Sequence, residues 1–198
     1  MISDKEKEEL DKIQGKVLGI GILNDFQFVF KKEGKEGIEK IEKEMENFGE
    51  PLKFKEIKKF HWYDNKKNFL LFLILEKLFQ WKDEDFREMG RWSASVSLVT
   101  KIMMKYFVSL ERIAKEAGKY WRKYHTLGDL KVEVIDYKKR ITIISLDNFE
   151  HGFSSHYKCV EGYFWQIISY LVPKENLKVV ELECEFKGGK RHLFNVSW

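Results

Sequence analysis

The sequence predicts an α+β fold: a helical N-terminal half packed on a four-stranded antiparallel sheet, the sheet coming from a β-β-α-β-β C-terminal half. Three observations predict it. Apolar residues recur at helical spacing from near the N-terminus to about Tyr124. Beyond Gly128 the period falls to two, in Leu130, Val132 and Val134 and again after Ile141. A helical stripe, Val160, Phe164, Ile167 and Leu171, then separates two pairs of strands. No linker or repeat is visible, so residues 1–198 are expected to form one domain, with 1–14 a helical extension within it.

Ser3 caps a first helix over roughly Asp4 to Gln14. A second helix follows Asn24 and stops at Gly34; a third runs from Lys35 to Asn47 and is closed by Gly49 and Pro51. Trp62-Tyr63-Asp64 reads as an entry turn to a helix from Lys66 to Phe79, whose run Phe69 to Leu75 is apolar on all sides and must be buried. Asp83 to Gly90, Ser93 to Phe107 and Leu110 to Tyr124 are the next helices. A hairpin, a helix opened by Ser154 or Ser155, and strands at Leu177 to Phe186 and His192 to Trp198 complete the chain.

Of 198 residues, 43% are hydrophobic and 15% aromatic, which excludes a disordered chain. The 36 basic and 32 acidic residues are interspersed and leave a net charge of only +4, against the segregated basic patch of a nucleic-acid binder. The first residues carry no apolar core of a secretory signal, and Phe69 to Leu75 is too short to span a membrane. Two cysteines, Cys159 and Cys184, make no disulfide framework. The expectation is a cytoplasmic protein without nucleic-acid or membrane partners.

The last hairpin carries a register argument. Leu182, Cys184 and Phe186 alternate with Glu181, Glu183 and Glu185, and Phe194, Val196 and Trp198 share parity with His192. A strict Gly188-Gly189 turn would set the two apolar faces against each other, so an odd loop or a bulge near Gly188 to Lys190 is expected. Cys184 and His192 then meet on the core side, and Cys159 lies on the helix that packs there. Two thiolates and an imidazole suit Zn²⁺, with Glu181 or Glu185 as a fourth ligand, although Glu181 falls on the opposite face of an unbroken strand. The alternative is that both cysteines are small buried hydrophobes.

The segments Cys159-Val-Glu-Gly162-Tyr-Phe-Trp, Val180-Glu181-Leu-Glu183-Cys184, Gly188-Gly189 and Phe194-Asn-Val196-Ser-Trp198 resemble the ending of 4-vinyl-reductase-type domains. Trp62-Tyr63, Gly90-Arg91-Trp92-Ser93 and Trp121 to Gly128 extend the resemblance toward residue 15. It implies the fold shared by heme nitric-oxide-binding sensors and TRAPP tethering components. It also implies a structural zinc on Cys159, Glu181, Cys184 and, in place of the family's last cysteine, His192.

Heme is not expected, because the Tyr-x-Ser-x-Arg triplet of the nitric-oxide sensors is absent and His61, His125, His151 and His156 stand alone. Nucleotide binding is not expected either: Gly19-Ile-Gly21 lacks the downstream glycine of a phosphate loop. No Gly-x-Ser-x-Gly is present, and a Cys159/His192 pair would be buried, which argues against an enzyme. The reading is a ligand-sensing domain. Trp92, Tyr106, Phe107, Tyr163 and Phe164 would line a pocket for a small hydrophobic or aromatic molecule, in a homodimer acting through a separate output protein. A dimeric adaptor without ligand is the alternative.

Overall fold

The computed structural model describes residues 2–97, 100, 109–149 and 151–198. Helix α1 (Asp4–Lys12) opens with the capping box of Ser3 and Glu6, and docks on α3 through buried Leu10 and ion pairs of Lys77 with Glu6 (2.8 Å) and Lys66 with Asp11 (2.6 Å). Strand β1 (Lys16–Leu18) pairs antiparallel with β2 (Trp62–Asp64), so the expected entry turn is a short strand. Helix α2 (Gly19–Asn47) joins the two helices expected on either side of Gly34. That residue, at φ 70°, kinks the helix rather than ending it.

Helix α3 (Asn65–Leu78) is the buried pillar, with Phe69 to Leu75 all at 2% exposure or less. Helix α4 (Asp83–Val96) runs straight through Gly90, where a stop is expected, because the glycine is needed for packing. Helix α5 (Leu110–Trp121) follows, and the strands β3 (Asp129–Asp136) and β4 (Ile141–Asp147) form the expected hairpin, with a bulge between Val132 and Val134. Helix α6 (Ser154–Ile168) crosses α4, and β5 (Lys178–Glu183) and β6 (His192–Ser197) close the sheet in the order β3-β4-β6-β5.

The α4–α6 crossing rests on two glycines. A Cβ on Gly90 would overlap the carbonyl of Cys159, and one on Gly162 would overlap the carbonyl of Arg87. Each helix therefore lays its glycine on the other's backbone. Buried Glu161 fastens the crossing, accepting from Arg87 Nε (2.8 Å), Lys158 Nζ (2.6 Å) and the Glu181 amide (3.2 Å).

The hairpin bulge lies earlier than expected, at Leu182, between the pairs Glu181↔Phe194 and Glu183↔Leu193. Leu182 is consequently pushed out, 59% exposed rather than inward, and Glu181 turns toward the core. A 3-10 turn at Glu185–Lys187 then carries the chain to Gly188 in the left-handed region.

Candidate functional site

Between α2, α3, α4, α5, α6 and the inner face of β3 and β4 lies a cavity of about 190 Å³. Its sheet side is apolar, from Leu130, Val132 and Ile144, and α5 adds Leu110, Ile113 and Ala117. Polar groups gather toward α2 and α4: Asp25, Ser93, Ser97 and Tyr124.

Two histidines line it. His125 follows α5 in a turn clamped by β1, where the Leu18 amide donates to the Tyr124 carbonyl (2.8 Å) and the Thr126 amide to the Lys16 carbonyl (3.0 Å). Its ring stacks on Trp121, at 4.1 Å and 18°. His156, in the first turn of α6, packs among Phe69 (4.4 Å), Phe72 (5.2 Å) and Phe149 (5.9 Å). The Nδ1 atoms of both are buried without a hydrogen-bond partner. Burial drives the imidazole pKa of His125 down to about 4 and that of His156 to about 3, so both are neutral near pH 7.

Asp25 faces the same space. Burial pushes its carboxyl up to about 7, partly offset by the Ser93 hydroxyl, which donates to it at 2.8 Å. Cys159 also lines the cavity, its thiol held well above the usual range by burial and then by Asp25. Asn68 adds a buried side-chain oxygen without a partner.

Of the residues expected in a ligand pocket, Tyr163 and Phe164 line the cavity. Trp92 does not; it packs 6.2 Å from Phe28 with Lys31 over its ring at 4.7 Å. Tyr106 and Phe107 lie outside the described residues. Sequence reasoning set His125 and His156 aside as lone histidines and passed over Asp25. The signal for His156 was its place one turn before Val160, on the apolar stripe of α6.

Under the C-terminal hairpin, Glu181, Cys184 and His192 each bring one donor atom within 4.8 Å of the others. Nδ1 of His192 is 2.9 Å from Glu181 Oε1, its ring stacks on Tyr157 at 3.7 Å, and its Nε2 is 4.0 Å from Glu185 Oε2. The last two atoms have no hydrogen-bond partner. Cys159 stands apart from this group, because α6 turns it to the cavity and Tyr157 to the hairpin.

No protein-family model matches the chain. No curated protein matches it in sequence. Solved structures do match in fold. An H-NOX protein from S. oneidensis in the Fe(II)NO ligation state is similar at a TM-score of 0.69 and 9% identity, covering 91% of this chain and 98% of that one. An oxygen-binding H-NOX domain related to soluble guanylate cyclases gives 0.62 and 12%, covering 88% and 90%. A structure described by modulation of heme redox potential through porphyrin distortion gives 0.55 and 14%, covering 89% and 97%.

The fold implied by the resemblance, that of heme nitric-oxide-binding sensors, is thus the one observed. The same finding corrects the exclusion of heme. A missing triplet does not rule it out in a chain whose fold is shared with proteins described by their Fe(II) and heme states. The four histidines named against heme are also unlike one another: His61 is exposed and His151 contacts Glu9 (3.0 Å), but half-buried His125 and buried His156 line the cavity.

Proposed function

We propose that this chain is a non-catalytic small-molecule sensor domain whose cavity takes a planar, largely apolar ligand, with heme as the first candidate. One observation carries the reading: two neutral imidazoles, each with an unpartnered nitrogen, line an apolar interior cavity. Neutral imidazole is the form that binds iron, so the donor set fits. His125 or His156 would hold the iron, and the group would supply a centre for a small gas. Tyr163 and Phe164 would give it apolar surface, and the walls would exclude water. The cavity is smaller than the roughly 300–1,000 Å³ of most ligand sites, so the walls must part for a ligand of that size. No lysine or arginine is among the described residues lining it, so acidic substituents belong at its mouth. Kinship with 4-vinyl-reductase-type domains is part of this proposal and rests on the motif spacing.

Hemin titration of the purified protein, followed in the Soret region, tests it. Saturation near one per chain is expected, with the band shifted or lost in His125→Ala/His156→Ala. An unchanged band and stoichiometry in that double variant would overturn the assignment.

A second reading belongs to the hairpin cluster. The facing, unpartnered atoms His192 Nε2 and Glu185 Oε2 favour a divalent metal ion among Glu181, Cys184, His192 and Glu185, with Cys159 left out. Elemental analysis showing metal in the wild type and none in Cys184→Ala is the expected result; metal absent from both removes this site.

A further inference from the structure

The turn Lys58–His61 presents Phe60 at its tip, 81% exposed, whereas the other exposed large hydrophobic residues lie between 42% and 59%. Trp62, 42% exposed, stands beside it. Lys55, Lys58 and Lys59, close by in sequence, are exposed, and none is in an ion pair among the described residues; Glu56 is the one acid between Lys55 and Trp62.

This exposure is built into the backbone. The Gly19 amide donates to the His61 carbonyl (2.8 Å), the Ile20 amide to the Lys59 carbonyl (2.9 Å) and the His61 amide to the Lys58 carbonyl (3.1 Å). The Lys58 amide donates to the Tyr63 hydroxyl (2.8 Å). Gly19 lets the turn lie flush on the start of α2, since a Cβ there would overlap the Lys58 carbonyl.

A lone exposed apolar side chain is ordinary. A clamped turn with a protruding phenylalanine, a neighbouring tryptophan and unpaired lysines is a different pattern. Phe60 stands out at 81% exposure, so the turn presents a ring to a partner. Aromatic rings at headgroup depth with lysines facing anionic lipid are the chemistry of peripheral membrane contact. We propose that this turn docks the protein on an anionic lipid surface, with Phe60 inserted and the lysines against the headgroups. The contact is peripheral: among the described residues no helix is long and apolar enough to cross a membrane.

Co-sedimentation of the full chain with phosphatidylcholine vesicles, with and without phosphatidylserine, tests this. Pelleting only with phosphatidylserine is expected, weakened about tenfold by Phe60→Ser through lost apolar burial. Lys58→Gln/Lys59→Gln should weaken it about tenfold or more. Unchanged thermal midpoints would show that both variants fold. Pelleting unaffected by either variant would overturn the proposal. Pelleting with neither vesicle would also overturn it.

Discussion

Three histidines turn away from solvent in this fold, His156 and His192 buried and His125 half-buried, and their surroundings divide them. His192, under the hairpin, has a carboxylate on Nδ1 and a tyrosine ring along its face. His125 and His156, in the cavity, have aromatic neighbours but nothing on Nδ1. An imidazole removed from water either gains a carboxylate partner on Nδ1 or leaves that nitrogen unmet. The hairpin followed the first course, and its cluster helps hold the sheet to α6. The cavity followed the second, and its unmet nitrogens are what a ligand would satisfy. Buried polarity is therefore partly met by a carboxylate under the hairpin, where Nε2 of His192 stays open, and leaves both cavity histidines without a partner on Nδ1.

The largest effect expected from this contrast is at Glu181. Glu181→Ala strips the buried partner of His192 and should cost about 3–5 kcal/mol in urea unfolding with a chelator present. A loss under about 1 kcal/mol would show that His192 does not depend on this carboxylate and break the comparison.

Asp25→Asn comes next, with the opposite sign. The native carboxyl titrates near 7 and an unfolded one near 3.8, so the native state holds the proton more tightly. This group's contribution is therefore full at low pH and declines as pH rises toward and through 7. Asparagine keeps an acceptor for Ser93 and carries no charge. The variant should match the wild type near pH 4 and exceed it at about pH 8 by up to about 4 kcal/mol. A difference that stays flat across that range would remove Asp25 from the buried carboxyls.

The smallest effect is at His156. His156→Phe fills the same aromatic cage without the unmet nitrogen, so stability should stay within about 1 kcal/mol of the wild type. The same exchange at His192 should be several times more damaging, because it strands Glu181. Equal losses at both sites would erase the distinction between the two regions.

What could be read beforehand follows the range of the forces involved. Ser3 and Glu6 cap α1 through neighbours three residues apart, and the run Phe69 to Leu75 announces its burial by composition. The β3–β4 hairpin is equally local. The β1–β2 pair is not: two three-residue strands meet across the length of α2, and neither has a pattern long enough to be seen. Gly34 carries a stop signal, yet the helix re-forms beyond it because buried Ile38, Ile41 and Met45 continue its packing. At Leu182 the need for a bulge was legible and its position was not, since Glu181 and the glycines satisfy the same parity. Cys159 shows the same limit, because a helix residue's face depends on its neighbours, here the glycine-tight contact with α4.

That contact divides the cavity wall into parts that can drift and parts that cannot. Neither Gly90 nor Gly162 can acquire a side chain without pushing the two helices apart, and with them the α6 residues His156, Cys159, Tyr163 and Phe164. The wall from α5 and β3 has one such contact of its own, since a Cβ on Gly118 would crowd the Leu130 carbonyl, but Ile113, Ala117 and Val132 are positions where a side chain already lines the cavity. Retuning the cavity for a different guest, by mutation in nature or by design, has its free positions on that side, while the α4–α6 frame stays constant.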